Sequence, residues 1–286
     1  MPGASASQPA RRLAELELAA RKGLGQHFLT DKSVLEKIIS AAELTPGDTV
    51  IEIGPGLGIL TAELVRRAGK VVAVELDRGL AAALKKQYAA AENLLVINED
   101  VLKLSPESLL ECARVKGGYK VVANLPYYIT SVVMRHFLES ADRPQLMVVM
   151  VQREVARSMT AAPGSLSLLG ISVQLFGEAR IVSRVPAGAF YPAPKVESAI
   201  VKVTMYPVPL ICQEELPGFF TLARAAFCAA RKQIQNSLAH GLVVDKSIIN
   251  LHLAAAGIDP VRRAETLGIE EWLRLWQEFK PVICRP

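Results

Sequence analysis

Cysteine is scarce in this chain and scattered. Cys112, Cys212, Cys228 and Cys284 stand far apart, no C-x-x-C pair occurs, and the four histidines form no cluster beside them. A disulfide framework and a structural zinc site are therefore not expected, and buried free thiols are the expected reading. No metal is expected elsewhere. Long apolar runs are missing too: stretches such as Leu146 to Val151 fall far short of the roughly 18 residues that a membrane span requires. Glu15 and Glu17 interrupt the apolar stretch behind Arg11 and Arg12, and no cleavage pattern follows, so the start does not read as a signal peptide. A cytoplasmic protein is expected. Neither sign of charge dominates, because 33 Lys+Arg against 28 Asp+Glu leave +5, a balance that permits an anionic partner without demanding one. Repeats and low-complexity tracts are absent.

What is present is apolar and periodic. With 51% hydrophobic residues over 286 positions, the chain can bury a sizeable core without staples. Asp31 reads as an N-cap ahead of a helical face made by Val34, Leu35, Ile38, Ile39 and Ala42. Short apolar runs then alternate with helical patterns. Thr49 to Ile53, Val71 to Glu75, Leu94 to Asn98, Lys120 to Ala123 and Leu146 to Val151 predict strands; Ile59 to Arg67, Gly79 to Ala90 and Ser131 to Leu138 predict helices. This alternation implies βαβ units around a parallel sheet buried on both faces. Ala179 to Val185 and Ala199 to Met205 predict two more strands with no clear helix between them, so the far edge is expected to hold an antiparallel strand. Beyond Pro207 only helical spacing remains. The expected organisation is a flexible basic segment over 1–22, a doubly wound, Rossmann-like α/β domain over 23–206 and a small helical domain over 207–286.

The run Val50-Ile-Glu-Ile-Gly-Pro-Gly-Leu-Gly58 sets three glycines where the first sheet strand turns into a helix, a place where bare backbone lets a ligand approach. The dinucleotide form of this turn needs glycine at 59, where the chain has Ile59, which argues against NAD. Glu75 ends the next strand, about 20 residues on, at the spacing from which a carboxylate accepts hydrogen bonds from ribose hydroxyls. Asp100 follows the third strand and can accept from the exocyclic amine of an adenine ring. Each acid alone reads equally well as a solvated strand end. Together with the glycine turn, two carboxylates with little basic charge nearby suit S-adenosylmethionine, a nucleoside with a positive sulfonium and no phosphate.

The fourth strand runs into Asn124-Leu125-Pro126-Tyr127. An adenine N6 amine is a poor nucleophile because its lone pair is delocalised into the ring. The Asn124 side-chain oxygen and the Leu125 carbonyl, both aimed at its hydrogens, would localise that pair and point it at a methyl donor. Proline fixes the turn, and Tyr127 offers a ring for an extruded base, a contact worth roughly 1–3 kcal/mol. Positioning and electrostatics then carry an in-line transfer without a strong general base.

With these motifs in order, the chain resembles the ribosomal RNA adenine dimethyltransferases, and within them the bacterial small-subunit branch. The likeness runs from about Lys22 to Leu238 through Gly25-Gln-His-Phe-Leu29, Glu52-Ile-Gly-Pro-Gly-Leu-Gly58, Val74-Glu-Leu-Asp77, Asn98-Glu-Asp-Val101, Asn124-Leu-Pro-Tyr127, Gln152-Arg-Glu-Val-Ala156, Phe190-Tyr-Pro-Ala-Pro-Lys-Val-Glu-Ser198 and Arg231-Lys-Gln-Ile-Gln-Asn-Ser-Leu238. It implies a class I S-adenosylmethionine-dependent methyltransferase sheet. It also implies dimethylation of two adjacent adenosines in the 3′-terminal hairpin of 16S rRNA, S-adenosylhomocysteine as the other product, and a role late in small-subunit assembly. Cofactor contacts are implied at His27, Leu29, Gly54, Gly56, Glu75, Leu76, Asp100, Val101 and Asn124. Asn124, Leu125, Pro126 and Tyr127 are the implied catalytic turn. Phe190 is the implied second face on the target adenine beside Tyr127, although without the resemblance it reads equally as core. RNA contacts are implied at Arg153, Lys195, Arg231 and Lys232, with Gln233 and Gln235 standing where the family is usually more basic. His27 departs from the Asn often found there. A monomer acting on the small subunit, with no membrane partner, is expected. Two other readings stay open: a large-subunit adenine methyltransferase of the macrolide-resistance type, and a non-catalytic RNA-binding assembly or transcription factor on the same fold.

Overall fold

The computed structural model describes residues 8–115, 117–229 and 231–283. It divides into two compact units, one built of Met1–Ala156 with Ala179–Met205 and one of Arg157–Glu178 with Tyr206–Pro286. The break at 205/206 lies one residue from the expected boundary at 206/207. The segment 157–178, expected within the α/β domain, belongs to the helical unit instead.

The first unit holds helices α1 (Gln8–Glu15), α2 (Lys32–Ala42), α3 (Ile59–Arg67), α4 (Arg78–Gln87), α5 (Pro106–Cys112) and α6 (Thr130–Leu138), and helix α7 (Arg153–Met159) begins in it. Its main strands are β2 (Thr49–Ile53), β3 (Lys70–Glu75), β4 (Leu94–Asn98), β5 (Lys120–Asn124), β6 (Leu146–Gln152), β7 (Gly177–Val185) and β9 (Ser198–Met205). They form one sheet in the order β4-β3-β2-β5-β6-β9-β7. The first five are parallel and β9 runs antiparallel to β6. Strands β2, β5 and β6 are buried almost throughout, as helices on both faces require. The strand order reverses between β2 and β5, and such a switch point opens a crevice beyond the strands' carboxyl ends.

Two features carry no periodic signal in the sequence. Strands β1 (Phe28–Leu29) and β8 (Phe190–Tyr191) form a separate antiparallel pair, Phe28 opposite Tyr191 and Leu29 opposite Phe190. Residues 8–15, expected as part of a flexible segment, are helix α1, whose buried Leu13 sits with Phe28 and Leu80 in a small apolar cluster. Residues 1–7 of that segment lie outside the described residues. Asp31 caps α2 as expected, accepting from the backbone of Ser33 and Val34. At the other end of α2 the Lys120 ammonium donates to the carbonyls of Ala42 and Glu43 and to Asp48, satisfying groups that a helix terminus leaves open.

The second unit contains α8 (Leu168–Gln174), α9 (Leu216–Phe227), α10 (Ile234–Leu242), α11 (Lys246–Ala255) and α12 (Ile269–Ile283). Ile171 and Val173 of α8 are fully buried, and α8 packs on α9, which explains why its segment belongs here. Phe219, Trp272 and Trp276 are buried side by side, and the Trp276 indole donates to Glu215 at 2.8 Å. Cys112, Cys212 and Cys228 are free and exposed, contrary to the buried thiols expected: they occupy helix ends, not apolar faces. Cys284 lies outside the described residues. Among the described residues no helix is long and apolar enough to cross a membrane, and no group of His, Cys, Asp and Glu could hold a metal ion.

Candidate active site

A cavity of about 580 Å³ opens at the switch point, a volume suited to a small cofactor. The glycine turn after β2 forms one wall. Gly54 donates its N–H to Val74 on β3 and lies against the Asn124 carbonyl at the end of β5. Gly58 has φ +81°, and a Cβ there would fall 2.7 Å from the Leu84 side chain, so only glycine lets α3 start this close to α4.

Glu75 is nearly buried at the end of β3, and each of its carboxylate oxygens takes one backbone N–H, from Gly56 at 3.0 Å and from Asp77 at 2.9 Å. The group is thus fixed in orientation with lone pairs to spare. Burial pushes its pKa up, against those two hydrogen bonds. Asp100 accepts from the Leu102 N–H with one oxygen, which leaves the other for the cavity that it lines.

Asn124 is set by a contact spanning nearly a hundred positions: its Nδ2 donates to the His27 carbonyl at 3.0 Å. A carbonyl only accepts, so this bond fixes which end of the amide is nitrogen and makes Oδ1 the acceptor offered to the cavity. The buried Leu125 donates its N–H to the Met150 carbonyl of β6 at 3.1 Å. Tyr127 is half-buried, its hydroxyl paired with Ser198 Oγ at 2.6 Å and its ring stacked on His27 at 5.7 Å between centroids. Burial raises the pKa of this phenol, the Ser198 contact opposing. His27 Nδ1 faces the Pro192 carbonyl at 2.6 Å. A carbonyl only accepts, so Nδ1 is a protonated, donating nitrogen.

The structure brings His27, Leu29, Gly54, Gly56, Glu75, Leu76, Asp100, Val101, Asn124, Leu125, Pro126 and Tyr127 to this one cavity. Phe190 is not among them. Its side chain is 4% exposed in the core with Leu29, Val34 and Ile200, because alternation along β8 turns Phe190 inward and Tyr191 outward. It offers no face to a base. Arg153 forms an ion pair with Glu197, and Lys195 is exposed in the first unit. Arg231 and Lys232 are exposed in the helical unit, where Gln235 is buried and donates to Gln233 at 2.8 Å.

Two participants escaped the sequence reading. Ser198, the last residue of the Phe190 motif, pairs with the Tyr127 hydroxyl. Glu52, next to last in β2, lines the cavity at 1% exposure, and neither of its oxygens has a hydrogen-bond partner among the described residues. Burial, with help from the neighbouring Glu75 carboxylate and against Thr61 on α3, pushes its pKa from 4.5 to about 8. A charge set between apolar neighbours on a doubly buried strand was the available signal.

Residues 17–280 match the sequence model of a family described as Ribosomal RNA adenine dimethylase. A protein of Dehalococcoides mccartyi named Ribosomal RNA small subunit methyltransferase A is 54% identical over 258 residues, covering 90% of this chain and 88% of its own. A protein of the same name from Moorella thermoacetica is 46% identical, covering 94% and 96%. Among solved structures, a dimethyladenosine transferase from Plasmodium falciparum is similar at TM-score 0.75 and 27% identity, covering 89% of this chain and 98% of that one. The 23S rRNA methyltransferase ErmE is similar at TM-score 0.69 and 30% identity, covering 88% and 99%.

Proposed function

The chain belongs to the ribosomal RNA adenine dimethylase family, and we propose that it transfers methyl groups from S-adenosylmethionine to N6 of two adjacent adenosines in the 3′-terminal hairpin of 16S rRNA. The products are N6,N6-dimethyladenosines, made on the small ribosomal subunit late in its assembly. The observation that carries this reading is the Asn124 amide, held by the His27 carbonyl at the mouth of a cavity that also presents Glu75 and Asp100. Identity of 54% to a relative named for the small subunit, against 30% to the 23S enzyme, favours the small-subunit substrate over the large-subunit one.

The lining fits the cofactor. With Glu52 held neutral by burial, Glu15, Glu75, Glu99 and Asp100 line the cavity against Arg11 and Arg12 among the described residues, a balance that favours a cation and disfavours a phosphate. Glu75 would hold the ribose hydroxyls and Asp100 the adenine amine. When bound, S-adenosylmethionine supplies a methyl group on a positively charged sulfur. The protein's own part is orientation. In the first transfer Asn124 Oδ1 and the Leu125 carbonyl would accept the two N6 hydrogens of the target base and hold its lone pair toward the methyl carbon. In the second, one of these acceptors would hold the single hydrogen left, and each transfer breaks the sulfur–methyl bond and releases one N6 proton to solvent. Tyr127, steadied by Ser198 and His27, is the stacking surface for the extruded base. With Phe190 in the core, Tyr127 carries that stacking in this conformation without it.

Single-turnover methyl transfer from labelled S-adenosylmethionine into unmethylated small subunits tests the reading. Asn124→Ala should lower the rate by about 100-fold or more, as the loss of a preorganised acceptor does, with RNA affinity nearly intact. A rate equal to that of the unchanged protein would refute the role.

A further inference from the structure

Tyr128 is the large aromatic beside the catalytic turn that the mechanism does not use. It lines the cavity mouth yet is 58% exposed, and its hydroxyl makes no hydrogen bond to the described residues. Its neighbour Tyr127 differs in both respects, being half-buried and tied to Ser198. The Tyr128 ring is nevertheless held. Gly25, at φ +59°, presents bare backbone to it, and a Cβ there would meet Tyr128 Cδ1 at 3.3 Å. One helical turn on, Val132 on α6 is 53% exposed and extends the same face. A fixed, solvent-facing aromatic ring with an apolar side chain behind it, one residue from the surface that takes the extruded base, has the properties of a stacking platform for single-stranded nucleic acid.

We propose that Tyr128, with Val132 behind it, is the platform for the nucleobase next to the target adenosine, so that the strand is gripped by two consecutive tyrosines, one within the cavity and one at its mouth. The proposal rests on the reading of the protein as an RNA adenine methyltransferase. The pair explains how adjacent adenosines can be served by one site: the base that is not in the cavity has a defined place beside it. Stacking tolerates every base, so this contact adds affinity and leaves the choice of adenine to Asn124 and Leu125.

The test compares the unchanged protein with Tyr128→Ala and Tyr128→Phe. It measures KM for unmethylated small subunits, kcat, affinity for S-adenosylmethionine, and affinity for a hairpin RNA with 2-aminopurine beside the target adenosine. Tyr128→Ala should weaken KM and hairpin affinity by about 5- to 150-fold, the range that loss of one stacked base gives. It should also leave the 2-aminopurine less quenched, with kcat and cofactor affinity held. Tyr128→Phe should restore all of these. An active Tyr128→Ala protein with unaltered KM and quenching would overturn the platform, as would Tyr128→Phe behaving like Tyr128→Ala. Absence of transfer by the unchanged protein would refute the enzymatic reading instead, and hairpin affinity and quenching would still decide the platform.

Discussion

The chemistry of this site is set by where a few polar atoms are forced to point. Asn124 could present either end of its amide to a substrate; the His27 carbonyl removes the choice. Whatever replaces His27 must keep that backbone contact, which any residue can, whereas the imidazole adds a bond to Pro192 and a stacked neighbour for Tyr127. This accounts for a side chain whose role the sequence left undefined. Glu52 is the opposite case, a group whose environment withholds its charge. Between pH 4.5 and about 8 the unfolded chain has released this proton and the folded chain has not. The unfolded state then binds fewer protons, so stability falls as pH rises through that window. Glu52→Gln should remove the fall: melting temperatures of the two proteins should diverge in the variant's favour from pH 5 to 8.5. Parallel curves would contradict the assignment.

At the scale of elements, the glycine turn joins fold and site. Gly58→Ala would put an L-residue at φ +81° and its Cβ against Leu84. A cost of about 2 kcal/mol in stability is expected, with weaker cofactor binding, and thermal unfolding with titration calorimetry would check both. An unchanged melting temperature would contradict the packing argument. Sheet strands and their helices were legible because each carries its own periodicity: β2 and β4 fall where the apolar runs place them. Pairing of β1 with β8 was not, since two residues have no period and their partners lie some 160 positions apart. Which of its two readings Phe190 takes was not legible for the same reason, because only that pairing decides which way its ring turns. Helix α1 stayed hidden because its apolar anchor, Leu13, acquires meaning only beside Phe28 and Leu80.

For the whole molecule, a net charge of +5 is too small to identify an RNA partner, and the argument passes instead through the cavity. Glu15, Glu75, Glu99 and Asp100 around it favour a cationic nucleoside cofactor, and the two units supply exposed basic residues separately, Lys195 in one and Arg231 and Lys232 in the other. The family was legible through the run of motifs from Gly25 to Leu238, while the place of the segment 157–178 in the helical unit rests on the packing of α8 against α9. The most direct measurement is methyl transfer from labelled S-adenosylmethionine into unmethylated small subunits and, in parallel, large subunits, with product nucleosides identified by mass. Dimethyladenosine in small subunits alone is the predicted result; label in large-subunit RNA, or RNA binding with no label in either, would contradict it.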